Sequence, residues 1–117
     1  MAYDEEDAAL PYITIGSDEA KRMIEAGAHV IDVRQPEEWN RGHIPQAELV
    51  PLNGIYSFGK ALKELNISAD EDVIFVCAMG QRSASAAEIA LVAGLNNVYN
   101  LANGMNGWVH RRYPIER

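Results

Sequence analysis

The amino-acid sequence predicts an α/β protein with a largely parallel β-sheet covered by helices on both faces. Strand-like and helix-like segments alternate from Tyr12 onward, which is typical of parallel sheets. The apolar run Val73–Cys77 lacks polar alternation, as expected for a strand that is buried on both faces. The length of 117 residues fits one domain, and 48% apolar with 23% charged residues is ordinary for a globular chain.

The N-terminal part of this pattern begins with a strand and a helix. The β-branched segment Tyr12–Ile15 predicts the first strand. Ser17 is expected to cap the helix that follows, and Asp18 and Glu19 place negative charge in its first turn. Gly27 is a natural end for this helix.

The middle of the chain continues the alternation. His29–Val33 is a short apolar run that predicts a buried strand, and Pro36 suits the first turn of a short helix. Ala47–Leu52 is a weaker third strand. Tyr56–Leu65 carries apolar residues at helical spacing and predicts a helix.

The C-terminal part supplies the last two strands. Val73–Cys77 is the strongest strand of the chain, and the alanine-rich segment Ser83–Ala93 predicts a helix that packs closely on the sheet. Val98–Leu101 predicts the fifth strand, and Gly104–His110 predicts a terminal helix. Ligands of open parallel sheets bind beyond the carboxyl ends of the strands, and Cys77 lies at such an end.

Composition excludes several classes of protein. A single cysteine cannot form an internal disulfide, and with three scattered histidines it argues against a Cys/His zinc site. Apolar runs are far shorter than a membrane helix requires. Residues 1–9 are acidic, unlike a signal peptide, and are expected to form a flexible N-terminus before a single domain at 10–117. We therefore expect a cytoplasmic protein that needs neither metal nor cofactor.

The charge is negative and unevenly distributed. The net charge of −7 disfavours binding to nucleic acids or anionic membranes. Residues 1–30 contain seven acidic and two basic side chains, whereas residues 73–117 have more basic than acidic ones. The C-terminal third is therefore the part of the chain that can receive an anion.

The segment from Cys77 to Ser83 joins the strongest strand to the alanine-rich helix. A tight loop at a helix start directs backbone N–H groups and the positive end of the helix dipole toward one point. Gly80 permits backbone conformations closed to other residues, and Arg82 adds a positive charge. A thiol in such surroundings has a lowered pKa. The alternative is a buried, inert cysteine at a strand end, and the order of Cys, Gly, Arg and helix favours a reactive one.

Three parts of the sequence together resemble a single-domain rhodanese, a sulfurtransferase. The matching segments are Ile31–Trp39 with Gly42–Ala47, Cys77–Arg82 and Leu101–Trp108. The resemblance implies a three-layer fold around a mostly parallel five-stranded sheet. It also implies that Cys77 attacks the outer sulfur of a small anionic donor such as thiosulfate or a persulfide. The resulting cysteine persulfide would give its sulfur to cyanide or to a thiol, which can be that of a protein.

The resemblance also suggests roles for neighbouring residues. The N–H groups of the loop would hold the persulfide anion; the residues concerned are Ala78, Met79, Gly80, Gln81, Arg82 and Ser83. Arg82 would bind the donor, support the loop, or both. Asp32 and Arg34 match an Asp-Val-Arg motif and would brace loops near the site entrance. His43 is expected to hold its own loop, because thiolate attack on sulfur needs no base.

Two positions depart from the family pattern, and three alternative functions stay open. Gln46 and Asn103 stand where glycine is usual, which puts mainly the turn at Gln46 in doubt. A phosphatase or arsenate reductase is disfavoured because such enzymes have five residues between cysteine and arginine, whereas four separate Cys77 from Arg82. A non-catalytic partner-binding module typically lacks the cysteine. A sulfur-relay protein shares the persulfide chemistry and differs only in its acceptor, and the sequence names neither donor nor acceptor.

Overall fold

The structure, a computed structural model, describes residues 11–117 as five strands alternating with five helices. In chain order the elements are β1 (Ile13–Ile15), α1 (Ser17–Glu25), β2 (His29–Asp32), α2 (Pro36–Arg41), β3 (Ala47–Leu49), α3 (Ile55–Glu64), β4 (Asp72–Val76), α4 (Gln81–Val92), β5 (Asn97–Leu101) and α5 (Gly104–His110). The α/β fold is therefore confirmed. The expectation for residues 1–9 lies outside the described part.

The strands form one sheet in the order β1-β5-β4-β2-β3, and every pairing between neighbours is parallel. β4 lies in the centre, and four of its five residues are buried. This burial explains why its sequence is a continuous apolar run. Since all five strands point the same way, their carboxyl ends meet at one edge of the sheet, which places the segment after β4 between those after β2 and β5.

Helices cover both faces of the sheet. On one face Phe58 and Leu62 of α3 and the buried alanines of α4 pack against Val73 and Phe75. On the other face Ala20 and Ile24 of α1 and Trp108 of α5 belong to a second apolar cluster. The small side chains of α4 let this helix lie close to the sheet, as its alanine content predicts. The three-layer arrangement agrees with the expectation.

Element boundaries differ from the predicted ones at functionally relevant places. β4 ends at Val76, so Cys77 is the first residue of the loop, and α4 already begins at Gln81. Ser17 was expected to cap α1 but is its first helical residue. The N-cap is Gly16, because its carbonyl accepts the first helical hydrogen bond, from the N–H of Ala20 at 3.0 Å.

Candidate functional site

Cys77 lies at the carboxyl end of the central strand, where the loop to α4 wraps around its sulfur. Only 1% of the residue is exposed. The backbone N–H of Gly80 donates to Sγ at 3.0 Å, and the Ser83 hydroxyl lies 3.3 Å from Sγ. The sulfur therefore sits among hydrogen-bond donors rather than in a purely apolar core.

Gly80 allows the loop to turn back onto the sulfur. Its φ of +106° is in the left-handed region, and it occupies the N-cap position of α4. A Cβ at this position would lie 2.3 Å from the carbonyl oxygen of Ala102, far inside van der Waals contact. The close approach between the cysteine loop and the segment after β5 therefore requires glycine here.

A buried polar network beneath the loop connects Ser83 to β5. The Nδ2 atom of Asn100 donates to the carbonyl of Gly80 at 3.1 Å, which directs its Oδ1 toward Ser83. The Ser83 hydroxyl donates to that Oδ1 at 2.5 Å. In this arrangement the Ser83 oxygen can accept the S–H of a thiol, and the same hydroxyl can turn its proton toward a thiolate.

The surroundings of Cys77 lower the pKa of its thiol. Burial alone raises this pKa, because a buried thiolate loses its hydration. The donors outweigh burial: the Ser83 hydroxyl and the backbone N–H groups of Ser83, Gly80 and Met79 all lower the pKa. The thiolate fraction at neutral pH is consequently larger than that of an ordinary cysteine.

Arg82 connects the cysteine loop to α2. Its Nη1 and Nη2 atoms donate to the two carboxylate oxygens of Glu38, at 2.8 and 2.9 Å. Hydrogen bonding from Arg82 holds the pKa of Glu38 at about 2. Glu38 also accepts from the N–H of Gln35 at 3.0 Å, as part of the capping box of α2. Arg82 thus fixes the loop to the beginning of a neighbouring helix.

Asp32 and Arg34 form a second charged pair, at the end of β2. Both are buried, and Asp32 pairs with Val76 in the parallel register, directly before Cys77. Arg34 donates from Nε and Nη2 to the carboxylate of Asp32 at 2.8 to 3.1 Å. Its Nη2 also donates to the carbonyl of Gly42 at 2.8 Å. The pair therefore ties the end of β2 to the turn after α2.

The first turn of α5 packs directly against the cysteine loop. The N–H groups of Met105 and Asn106 donate to the carbonyls of Cys77 and Ala78, at 2.8 and 3.1 Å. A Cβ on Gly104 would lie 2.2 Å from the Cys77 carbonyl oxygen. This contact brings the third matching segment of the sequence to the site.

The structure brings the sequence-predicted residues together in part. The hydrogen bonds at the sulfur of Cys77 come from Gly80 and Ser83. Of the six predicted donors, Gly80 and Ser83 lie within hydrogen-bond distance of the sulfur, and the N–H of Met79 also lowers the pKa of the thiol. Sequence reasoning missed Asn100 and the pairing of Glu38 with Arg82. A polar residue inside an apolar strand was the available signal for Asn100.

The two departures from the family pattern leave the local backbone unstrained. Arg112 and Asn66 are the only residues other than glycine with positive φ in the described range, so Gln46 adopts its turn with an ordinary backbone. Asn103 has φ −107° and precedes α5. His43 is buried and stacks on Trp39 with ring centroids 3.5 Å apart, in agreement with a role in holding its loop.

Comparison with known proteins identifies the family. The model of the rhodanese-like domain matches residues 17–111. The chain belongs to the rhodanese-like family. It is 30% identical over 102 residues to the thiosulfate sulfurtransferase GlpE of Pseudomonas paraeruginosa, covering 87% of each chain.

Solved rhodanese-like structures share the fold. A rhodanese-related protein from Thermoplasma volcanium superposes with a TM-score of 0.75 at 30% identity, over 90% of this chain and 98% of that one. A Rhodopseudomonas palustris protein described as a possible tyrosine phosphatase superposes with a TM-score of 0.76 at 27% identity, over 97% and 89% of the chains. The rhodanese-like fold therefore also occurs in a protein to which a different activity has been ascribed.

Within residues 11–117, no group of three or more His, Cys, Asp or Glu side chains is arranged to hold a metal ion. In the same range, no helix is long and apolar enough to cross a membrane.

Proposed function

We propose that this protein is a sulfurtransferase that carries a transferable sulfur atom on Cys77. The observation that carries the proposal is the convergence of the Ser83 hydroxyl and backbone N–H groups on a buried Sγ, with a lowered pKa of the thiol. A persulfide anion requires the same donors, because its negative charge is poorly solvated in a buried site. Family membership and the similarity to a thiosulfate sulfurtransferase support the reaction class.

The chemistry proceeds in two steps. The Cys77 thiolate attacks the outer sulfur of a donor such as thiosulfate and forms an S–S bond. The bond between the two donor sulfurs breaks, and sulfite leaves with the electron pair. An acceptor, cyanide or a thiol, then removes the outer sulfur and restores the thiolate. Since the chain has one cysteine, no second thiol of its own can resolve the persulfide.

In this proposal the charged pairs support the site. Arg82 holds the loop through Glu38, and Asp32 with Arg34 braces the end of β2 beside Cys77. The chemistry requires a compartment in which a lone thiolate stays reduced, so we place the protein in the cytoplasm. A sulfur-relay role uses the same persulfide with a protein thiol as acceptor.

Mass spectrometry of the intact protein tests the assignment of Cys77. After incubation with thiosulfate and removal of the reagent, the wild type should gain the mass of one sulfur atom, and Cys77→Ser should gain none. A reductant should remove the added mass. Equal uptake by both proteins, or uptake by neither, would contradict the proposal.

Phosphatase activity is the second candidate, favoured by the description of the Rhodopseudomonas palustris neighbour. Two features oppose it. Only four residues separate Cys77 from Arg82. The guanidinium of Arg82 also already donates to both carboxylate oxygens of Glu38, so it is not free to bind a phosphate. An aryl phosphate assay on the same two proteins distinguishes the candidates, because we expect sulfur uptake without Cys77-dependent phosphate release.

A further inference from the structure

A cavity of about 300 Å³ lies beside the cysteine loop, between the end of α2 and the face of α5. We call it the arginine cavity; its principal lining residues are Arg34, Arg41, Met105, Asn106, Val109 and Ile115. One part of the lining is cationic and another is apolar. Its volume is at the lower end of the range for small-molecule sites.

The wall of the arginine cavity is bonded to the cysteine loop. Met105 and Asn106 donate their N–H groups to the carbonyls of Cys77 and Ala78. The side-chain amide of Asn106 also donates to Sδ of Met79 at 2.6 Å. A ligand held in this cavity therefore lies next to the loop that surrounds the reactive sulfur.

Within residues 11–117, one guanidinium nitrogen of Arg34 has no hydrogen-bond partner. The Arg34 side chain is only 7% exposed. Its Nε and Nη2 atoms donate to the carboxylate of Asp32, and Nη2 also donates to the carbonyl of Gly42. Within residues 11–117 its Nη1 makes no hydrogen bond. No buried side-chain nitrogen in this range lacks a hydrogen-bond partner, so Nη1 must be at least partly accessible to solvent. Arg34 lines the arginine cavity, and Nη1 is the guanidinium nitrogen of Arg34 that is left for a ligand.

The charged side chains that line the cavity are the arginines Arg34 and Arg41. Asp32 offsets the charge of Arg34, whereas Arg41 makes no ion pair within the described residues. Arg117 adds a further cation, because its Nε donates to the Arg41 carbonyl at 3.1 Å. The nearby acid Glu116 lies 3.9 Å from Nε2 of His43 and is largely exposed. Arg34 and Arg41 therefore favour an anionic ligand group.

We propose that the arginine cavity binds the carboxylate of a small organic thiol that accepts sulfur from Cys77. The carboxylate would bind to Arg34 Nη1 and Arg41, and the short carbon chain would contact Val109 and Ile115. This inference rests on the proposed sulfurtransferase function and narrows its acceptor. The donor, thiosulfate, would bind at the cysteine loop, and the carboxylate of the acceptor would bind in the arginine cavity.

The transfer step needs only the Cys77 persulfide and the acceptor thiolate. The acceptor thiolate attacks the outer sulfur of the Cys77 persulfide and forms a new S–S bond. The bond between that sulfur and Sγ breaks, and Sγ leaves as a thiolate with the electron pair. The outer sulfur keeps its negative charge, so the acceptor departs as a persulfide anion and no external oxidant or reductant is consumed.

The test compares an anionic with a neutral acceptor on protein that has been loaded with thiosulfate and freed of it. Discharge of the added sulfur is followed by mass spectrometry with mercaptoacetate and with mercaptoethanol. The ratio of the two rates should fall about fivefold in Arg41→Gln, in line with the loss of a partly exposed charge contact. The intrinsic difference in reactivity between the two thiols cancels when ratios are compared between variants.

A second variant and two controls isolate the cavity. Val109→Glu places a carboxylate at an exposed wall position, and it should lower the ratio at least as much as Arg41→Gln. Lys60→Gln and Val92→Glu make the same charge changes on the α3 and α4 surface, and their ratios should equal that of the wild type.

The outcomes separate this inference from the proposed function. If the wild type never loads sulfur, the function itself fails. If the wild type loads and the ratio is the same in Arg41→Gln and Val109→Glu as in the controls, the arginine cavity is not the acceptor site. A fall in loading by thiosulfate with an unchanged ratio would assign the cavity to the donor and would also overturn the inference.

Discussion

The cysteine loop and the groove between α3 and α4 are opposite kinds of surface. The groove has a volume of about 750 Å³ and is lined mainly by apolar side chains, together with Lys60, Lys63, Glu64 and Asn66. Tyr56 is 92% exposed and Val92 90% exposed at this groove. The loop around Cys77 instead directs hydrogen-bond donors at one buried sulfur.

The larger cavity and the side chain with the lowered pKa therefore lie at different places in the molecule. The groove is larger than the arginine cavity beside the loop, but its lining contains no cysteine. The loop has a titratable group whose pKa is lowered by several oriented donors, a combination found at reactive sites. The predictions below alter each region in turn and compare the effects.

The largest effect is expected from Gly80→Ala. The new Cβ would meet the carbonyl oxygen of Ala102 at 2.3 Å, and φ of +106° is unfavourable for alanine. We expect a loss of about 2–4 kcal/mol in the free energy of unfolding. Displacement of the Gly80 N–H should also raise the pKa of the Cys77 thiol. Urea unfolding measures the first effect, and ultraviolet titration of the single thiolate measures the second.

Gly94→Ala is the matched control for this substitution. Gly94 has nearly the same φ, +109°, but a Cβ added there would meet nothing within 4 Å. It should therefore lose only the backbone term, about 1 kcal/mol, with no change in the titration of Cys77. Equal losses in the two variants would show that the contact with Ala102 is unimportant.

Much of the fold follows from local sequence patterns. Apolar runs with β-branched residues mark the strands, and helical spacing or alanine content marks the helices that cover them. The position of Cys77 at a strand end before a helix start follows from the same patterns. The resemblance to rhodaneses adds the expected role of the loop.

The pairings at the site depend on the order of strands, which local patterns do not contain. β4 lies between β5 and β2, so Asn100 bonds to the cysteine loop from one side and Asp32 lies beside Val76 on the other. Glu38 and Arg82 meet across 44 positions of the chain. Each residue of such a pair looks like an ordinary polar or surface side chain until the topology is known. The cap of α1 is a smaller failure, since Gly16 rather than Ser17 fits the N-cap backbone.

A moderate effect is expected from Glu38→Gln, which removes the charge opposite Arg82 and keeps a residue suited to the capping box. The folded-state pKa of Glu38 is about 2, below its ordinary 4.5. The ion pair therefore stabilises the protein fully above about pH 4.5, and this contribution is lost as the pH falls toward 2. Because both side chains are partly exposed, we expect about 0.5–1 kcal/mol at neutral pH.

Unfolding free energies of the wild type, Glu38→Gln, Arg82→Gln and the double variant, measured at pH 7 and near the acid limit, check this expectation. The coupling between the two positions should be present at pH 7 and shrink in acid. A coupling that stays the same at both pH values would mean that the charges do not stabilise the loop.

The smallest effect is expected in the groove. Val92→Ser changes an exposed side chain at the end of α4, so the free energy of unfolding should change by less than about 0.5 kcal/mol. Ala90→Ser, two residues earlier and fully buried, should cost more, because a hydroxyl must enter the packed layer between α4 and the sheet. Sulfur uptake by Val92→Ser should equal that of the wild type.

The two variants are compared by urea unfolding at two protein concentrations. A loss above about 1 kcal/mol for Val92→Ser, or a midpoint that rises with concentration, would show that the groove is buried against another copy, and the contrast between the two regions would then not hold.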